Sequence, residues 1–177
     1  PLTTLLILAI AVVDRDPPTA AYRALFVGGL AASLAGDVLL MLPDRYFAAG
    51  LGAFLVAHVL YILGMRSTGT PLAPWATSLV FCAYAVAFFV HLRPHAGRLW
   101  PAILVYALVI TGMAWVAFST ALGGVAPGRW LAFGGALLFV ASDSLLAQNR
   151  FVRPLRREPL LVLGTYYAAQ LLLALSV

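Results

Sequence analysis

Charged residues are scarce in this sequence, and their scarcity excludes most soluble folds. Only 10% of the 177 residues are charged, whereas 63% are hydrophobic. A soluble domain has about a quarter of its residues charged, and a chain this apolar has too little polar surface to cover itself in water. The composition therefore predicts an integral membrane protein rather than a soluble all-α protein with a large core.

Lysine is absent, and cysteine occurs once. All eleven cations are arginines, and they fall in short breaks between apolar stretches, where membrane proteins place orientation signals and anionic-lipid contacts. The net charge of +5 therefore does not indicate nucleic-acid binding. Cys82 lies alone in an apolar stretch, so it predicts a buried thiol, with no internal disulfide and no metal motif. Exclusive use of arginine favours a bacterial source and hence a bacterial cytoplasmic membrane.

Seven apolar stretches predict seven helices, and short breaks place consecutive helices side by side and antiparallel. The stretches are Leu2–Val13, Thr19–Leu42, Phe47–Met65, Pro71–Leu92, Leu99–Leu122, Trp130–Gln148 and Pro159–Ser176. The predicted fold is an all-α polytopic transmembrane bundle, a single domain over residues 1–177. The first stretch is shorter than the roughly 20 residues that a spanning helix needs. We therefore expect the sequence to start inside a helix.

Arginines are distributed unequally between the two ends of the predicted helices. The first break runs from Asp14 to Pro18. The second, fourth and sixth breaks contain Arg45, Arg93, Arg98, Arg150, Arg153, Arg156 and Arg157. The odd-numbered breaks and their flanks contain Arg15, Arg23, Arg66 and Arg129. The bias predicts that the even-numbered breaks are cytoplasmic.

Two parts of the sequence resemble each other. The run Ser33-Leu-Ala-Gly-Asp37-Val-Leu-Leu is similar to Val140-Ala-Ser-Asp143-Ser-Leu-Leu, and an arginine followed by an aromatic residue comes shortly after each. One interpretation is a parallel internal repeat of helical hairpins, as in some membrane folds. The other is chance similarity between apolar segments.

Two carboxylates are predicted to lie inside helices. Of the six acidic residues, only Asp37 and Asp143 are flanked on both sides by apolar helix. Each lies roughly 8–10 Å inside the predicted cytoplasmic end of its helix, at 1.5 Å per residue. An isolated carboxylate facing lipid costs several kcal/mol, so both should face the interior of the bundle. They form either a functional site or a structural pair bonded to neighbouring arginine, tyrosine or backbone groups.

Other polar side chains are predicted at a similar depth. His58 is the only one of the three histidines predicted to lie within a helix, and Tyr61 follows it by one turn. In the last helix, Tyr166 and Gln170 are four residues apart, so each pair shares a helical face. The candidates beside the aspartates are His58, Tyr61, Tyr84, Tyr106, Tyr166 and Gln170. Their convergence, more than any single residue, indicates a site.

Small residues recur at every fourth position in two of the predicted helices. The two ridges are Gly28, Ala32 and Gly36, and Ala49, Ala53 and Ala57. Ridges of this kind allow helices to pack closely. They predict close packing and no chemical role.

Four runs of the sequence, taken in order, resemble the YhhN family, which includes lysoplasmalogenases. They are Ser33-x-x-Gly36-Asp37-x-Leu-Leu, Phe47-x-x-Gly50-x-x-x-Phe54-x-x-x-His58-x-x-Tyr61, Ser142-Asp143-x-x-Leu and Thr165-Tyr166-Tyr167-x-x-Gln170. The resemblance covers essentially the whole chain and implies eight transmembrane helices, of which this sequence would lack the first. It also implies hydrolysis of the vinyl ether bond of lysoplasmalogens to a fatty aldehyde and glycerophosphoethanolamine or glycerophosphocholine. The residues carried over are Asp37, His58, Tyr61, Asp143, Tyr166 and Gln170.

The chemistry implied by the resemblance suits two carboxyl groups. Acid hydrolysis of a vinyl ether protonates the β-carbon, water adds to the α-carbon of the oxocarbenium ion, and the hemiacetal collapses to an aldehyde. One protonated carboxyl and one carboxylate are needed, as in glycosidases. We expect Asp37 and Asp143 to be this catalytic pair, in either order and without cofactor or metal, with His58 and the tyrosines orienting water or the pair. The hydrocarbon chain would lie in the apolar interior and the phosphate near Arg45 or Arg150.

Other functions remain compatible with the same residues. Intramembrane carboxylates with a histidine also form proton relays, so a small proton-coupled transporter is an alternative. A different intramembrane lipid enzyme, or a lipid-binding membrane protein without turnover, is another. A zinc hydrolase has little support, because one helical histidine and two aspartates make a thin ligand set.

Overall fold

The computed structural model describes residues 1–13, 18–124 and 126–177. Within these ranges the chain forms seven α-helices and no strand, which confirms the predicted all-α architecture. The helices are α1 (Leu2–Val13), α2 (Ala20–Leu40), α3 (Phe47–Arg66), α4 (Ser78–Leu92), α5 (Trp100–Leu122), α6 (Pro127–Ala147) and α7 (Glu158–Ala174). In the predicted first break, with its Arg15, residues 14–17 lie outside the described residues.

Five of the helices, with their flanking turns, are long and apolar enough to cross a membrane. They are α2 to α6, and they extend over 18 to 26 residues. The shorter helices are α1, with 12 residues, and α7, with 17. Both are packed against longer helices, α1 against α2 and α7 against α6, and α1 and α7 also contact each other.

Prolines and one capping side chain set most of the helix starts. Pro101, Pro127 and Pro159 occupy the first turns of α5, α6 and α7, where a missing N–H costs no helical hydrogen bond. Thr19 caps α2 by accepting a hydrogen bond from the backbone N–H of Tyr22 at 2.9 Å.

The predicted start of the fourth helix at Pro71 is wrong. The helix begins at Ser78, after a 3₁₀ turn over Trp75–Thr77. Two prolines, Pro71 and Pro74, explain the difference, since the residue before a proline is pushed out of the helical conformation. An apolar run therefore extends further than the helix that it contains.

Helix α5 is the centre of the arrangement. It packs against α3, α4 and α6, so it contacts one helix of the α2–α3 hairpin and one helix of the α6–α7 hairpin. Each hairpin has an aspartate near the end of its first helix, Asp37 in α2 and Asp143 in α6. The internal repeat stays a prediction.

Glycines allow the two helices of the α2–α3 hairpin to approach closely. A Cβ atom at Gly36 would lie 2.7 Å from the ring of Phe54, and one at Gly64 would lie 2.7 Å from the ring of Phe26. Ala57 in the facing ridge is fully buried. Because lipid gives helices no hydrophobic reason to associate, such van der Waals contact is the main source of their association.

A single π-helical turn extends α6 over Gln148–Val152. The wider turn brings Phe151 to the ring of Phe47, with centroids 6.0 Å apart. It also brings Arg150 to Asp44, with a nitrogen–oxygen distance of 3.1 Å. The turn therefore links the ends of α6 and α3 on the arginine-rich side of the molecule.

Two side chains differ from their predicted environments. Cys82 is exposed on α4, so the predicted buried thiol is wrong. Because α4 packs mainly against α5, most of its surface faces outward, and an apolar sequence does not show which face that is. His91 lies in the last turn of α4 and not in a loop.

Replacing Gly36 with alanine tests the close packing of α2 against α3. The added methyl would press on the Phe54 ring, so we expect the free energy of unfolding to fall by about 1–3 kcal/mol. The measurement is the thermal unfolding midpoint in detergent. Gly52→Ala is the matched control, because a Cβ there meets nothing within 4 Å. An unchanged midpoint in Gly36→Ala would show that the hairpin does not depend on this contact.

Candidate active site

The two intramembrane aspartates line one cavity. This cavity, here called the polar cavity, has a volume of about 280 Å³, and its wall includes Asp37, Asp143, Glu158, Tyr166 and Tyr167. The carboxylates come from α2 and α6, and the tyrosines from α7, which packs against both helices. Two side chains 106 residues apart in the sequence therefore line the same cavity.

Asp37 is surrounded by hydroxyl groups. Its side chain is 10% exposed, and it accepts a hydrogen bond from the hydroxyl of Thr4 in α1. The hydroxyl of Tyr166 also lies beside this carboxylate. Two hydroxyl donors compensate for part of the water that a carboxylate loses on burial.

A chain of hydrogen bonds holds Tyr166 in place. The amide nitrogen of Gln170 donates to the Tyr166 hydroxyl at 2.9 Å, and the hydroxyl of Tyr61 donates to the Gln170 carbonyl oxygen at 3.1 Å. Ser33 lies 3.5 Å from the Tyr61 hydroxyl. Tyr61 and Gln170 are fully buried. The network fixes the ring of Tyr166 against Asp37 and joins α2, α3 and α7.

Asp143 has a different environment. It accepts a hydrogen bond from the buried hydroxyl of Tyr106 in α5. On its other side it lines a second space, here called the apolar cavity, whose walls include Phe47, Phe88 and Phe151. Asp143 therefore lies at the boundary between the two cavities, whereas Asp37 lines only the polar one.

His58 lies behind this site and does not line either cavity. Its imidazole is fully buried, with ring centroids 5.3 Å from Tyr106 and 4.6 Å from Phe139. Neither ring nitrogen has a hydrogen-bond partner among the described residues. The geometry brings His58 against the tyrosine that contacts Asp143, but not against either carboxylate.

Tyr84 and the two predicted phosphate-binding arginines lie further out. Tyr84 is 43% exposed and its hydroxyl lies 2.7 Å from that of Ser144, beside the apolar cavity. Arg150 is paired with Asp44, and Arg45 lies over the ring of Tyr46. Neither arginine lines the polar cavity.

Three residues of the site were not selected from the sequence. Thr4 and Ser144 are hydroxyls within apolar helices, and Glu158 opens α7 and lines the polar cavity. The signal for Thr4 was weak, since only Thr3 and Thr4 interrupt an otherwise apolar stretch. Glu158 directly precedes the last apolar stretch, so it lacks the apolar flanks by which Asp37 and Asp143 are recognised. Within the described part of the chain, no group of three or more histidine, cysteine or acidic side chains is placed to hold a metal ion.

Comparison with known proteins identifies the family. The model of the YhhN family matches residues 1–177. The chain belongs to the YhhN family. Together with the five apolar helices of spanning length, this membership makes it an integral membrane protein. No solved structure matches the chain.

Several curated relatives are named lysoplasmalogenase. The chain is 36% identical to lysoplasmalogenase TMEM86B of Homo sapiens over 162 residues, which cover 90% of this chain and 66% of the relative. It is 37% identical to lysoplasmalogenase TMEM86A of Bos taurus, covering 84% of this chain and 62% of the relative. For the lysoplasmalogenase of Mycobacterium tuberculosis the identity is 31%, covering 88% and 61%. The chain thus spans just under two thirds of the length of these relatives.

The hydrogen-bond network can be tested by replacing Gln170 with leucine. This change leaves the buried hydroxyls of Tyr61 and Tyr166 without their shared partner, so we expect the free energy of unfolding to fall by about 1–3 kcal/mol. Thermal unfolding in detergent measures the loss. Gln148→Leu is the control, since Gln148 makes an exposed hydrogen bond to His91. Equal midpoints for the two variants would contradict a structural role for the network.

Proposed function

We propose that this chain hydrolyses the vinyl ether bond of lysoplasmalogens, with Asp37 and Asp143 as its acid–base pair. The observation that supports the proposal most directly is that the two carboxyl groups line one cavity. Relatives named lysoplasmalogenase at 31–38% identity support this substrate class. The products are a fatty aldehyde and glycerophosphoethanolamine or glycerophosphocholine.

The positions of the aspartates suggest how their roles divide. The β-carbon of the vinyl ether lies one atom further along the hydrocarbon chain than the α-carbon. Asp143 borders the apolar cavity, so it is placed on the side of the chain and protonates the β-carbon. Asp37 lines only the polar cavity, so it is placed to stabilise the oxocarbenium ion and to accept a proton from the attacking water. The assignment follows from substrate direction alone.

The remaining polar residues of the site position the two aspartates. Thr4 and Tyr166 hold the Asp37 carboxylate, and Tyr106 donates a hydrogen bond to the carboxyl group of Asp143. Water adds to the α-carbon, and the proton it releases goes to Asp37. As the hemiacetal collapses, Asp37 returns this proton to the leaving glycerol oxygen and the hemiacetal hydroxyl gives its proton to Asp143. An aldehyde and an alcohol form, and both carboxyl groups regain their starting protonation. His58 acts only through Tyr106 in this scheme, as a positioning residue.

The headgroup lies toward the arginine-rich ends of the helices. Arg45 and Arg150 are both exposed on this side, and the phosphate of a lysolipid can reach them at the membrane surface. By the arginine bias this side is cytoplasmic, and the protein resides in a bacterial cytoplasmic membrane. The substrate is a membrane lipid, and the scheme uses no cofactor.

Replacing each aspartate with asparagine tests the acid–base pair. Asparagine keeps the shape of the side chain but neither donates nor accepts the catalytic proton. We expect Asp37→Asn and Asp143→Asn each to lower the rate of aldehyde release from a lysoplasmalogen by about 10²–10⁴-fold. The rate is measured with purified protein in detergent.

Asp44→Asn is the matched control for these variants. Asp44 carries the same group on the same side of the molecule, but it is exposed and pairs with Arg150. Its rate should stay near that of the unsubstituted protein. A folded Asp37→Asn or Asp143→Asn variant that retains full activity would overturn the catalytic assignment.

A further inference from the structure

The acid–base role of the two aspartates does not account for the shape or the position of the apolar cavity. It lies among α3, α4, α5 and α6, and its walls are formed largely by Phe47, Phe88, Leu92, Ile103 and Phe151. Its few polar side chains are Tyr84 on α4, Tyr106 and Thr111 on α5, and Asp143 and Ser144 on α6. The cavity is therefore an apolar space that meets one carboxyl group of the site.

The length of the cavity can be read from the helices that line it. Its lining extends from Tyr84 to Leu92 on α4 and from Ile103 to Thr111 on α5. Each span corresponds to about 12 Å of helix at 1.5 Å per residue. An extended chain of atoms gains roughly 1.2 Å per bond, so this length matches about ten carbons.

The side of the cavity between α4 and α6 is weakly closed. Helix α4 packs along α5, and its links to α6 and the following π-helical turn include two side-chain hydrogen bonds. These are Tyr84 to Ser144 at 2.7 Å and His91 to Gln148 at 2.8 Å, and both are exposed. Tyr84 lies about 12 Å from the end of α4, at 1.5 Å per residue, so this side faces the hydrocarbon of a bilayer.

We propose that the apolar cavity binds the hydrocarbon chain of the lipid substrate, and that the chain enters sideways from the bilayer between α4 and α6. This inference rests on the proposed function for the identity of the lipid, but not for the binding of its chain. The segment nearest the vinyl ether fills the cavity beside Asp143. The side chain of Tyr84 stands at the entrance.

The chemistry of a single-chain lipid favours this occupant. Burying a methylene chain against aromatic and aliphatic walls replaces lipid contacts with equivalent protein contacts, so entry from the bilayer requires no transfer through water. A polar headgroup would meet mostly apolar side chains along these walls. The boundary position of Asp143 then places the reactive bond where the apolar and polar cavities meet.

Filling the cavity should change the preferred chain length. Ala85 is 2% exposed and lines the cavity, so Ala85→Phe shortens the available space. We expect the rate with an 18-carbon alkenyl chain to fall about tenfold or more relative to the rate with an 8-carbon chain. Ala83→Phe is the matched control, because Ala83 is exposed on the same helix. The same chain-length profile in both variants would overturn the inference.

A smaller substitution at the same position controls for the case in which Ala85→Phe does not fold. A phenylalanine at a tight position can overpack the core, so Ala85→Leu is compared with Ala83→Leu in the same assay. Both pairs are first compared by thermal unfolding. A ratio of rates for long and short chains does not move when a variant merely loses active protein, so only a shift in that ratio supports the inference.

Photolabelling separates this inference from the proposed function. The probe is a lysophospholipid with a saturated ether-linked chain and a diazirine at its middle, which cannot be hydrolysed as a vinyl ether. We expect competable labelling of cavity residues such as Phe88 and Phe151, both in the unsubstituted protein and in Asp143→Asn. Labelling confined to outward-facing residues such as Cys82 would overturn the chain site.

The two experiments give distinguishable results. Cavity labelling without aldehyde release would support the chain site and contradict the proposed reaction. Aldehyde release with an unshifted chain-length profile in Ala85→Phe and no cavity labelling would support the reaction and contradict the chain site.

Discussion

The interaction on which this structure depends is the hydrogen bonding of two carboxyl groups inside a protein that otherwise has apolar helices. A carboxylate in hydrocarbon without partners is costly, and lipid offers it none. Thr4 and Tyr166 donate hydrogen bonds to Asp37, and Tyr106 donates one to Asp143. These donors come from α1, α7 and α5, so satisfying two side chains constrains the relative positions of five helices. The hydrogen bonding of the site and the packing of the helices therefore depend on each other.

Close helix packing makes this hydrogen bonding possible. A hydroxyl or an amide spans only a short distance, so Ser33, Tyr61 and Gln170 can form a continuous network only if α2, α3 and α7 lie nearly in contact. Glycines at the α2–α3 interface provide that approach, as the tight fit of Gly36 against Phe54 shows. Phe54 in turn lines both cavities. A methyl group added at this interface would therefore act on the cavity walls as well as on stability.

The sequence predicts where most helices lie and that the two aspartates face the interior of the bundle. Both predictions follow from the cost of polar groups in lipid. Apolar runs gave α1 to its observed bounds and six further helices, but they placed the start of α4 too early, because Pro71 and Pro74 delay the helix until Ser78. Partners could not be predicted in this way. Thr4 resembles any hydroxyl in an apolar helix, which can bond its own backbone, and the exposure of Tyr84 and Cys82 depends on which face α4 presents to α5.

Glu158 and His58 also lie in surroundings that the sequence does not reveal. Glu158 is closer to the site than its sequence position suggests, and His58 is further from it. A residue at a helix start looks solvated in sequence, yet Glu158 lines the polar cavity because α7 begins at the cavity itself. A histidine in an apolar helix looks like a ligand or an acid–base group, yet His58 packs between aromatic rings away from both cavities. Its place beside Tyr106 makes it part of the support for Asp143, not of the site surface.

A hydrolase that cleaves a membrane lipid must bring the reactive bond into contact with both the bilayer and water. The hydrocarbon chain is stable in the bilayer, whereas the attacking water and the released headgroup come from the aqueous side. Under the proposed function, two cavities that meet at Asp143 would satisfy both requirements, since we infer that the apolar one takes the chain from lipid between α4 and α6, and the polar one is lined by Asp37 near the helix ends. In the proposed reaction, the carboxyl at the junction protonates a carbon that remains in apolar surroundings. In the same scheme, the carboxylate with hydroxyl partners receives the proton of the attacking water. Placing the pair near one membrane face, instead of at the bilayer centre, keeps the path for water short while leaving the chain in lipid.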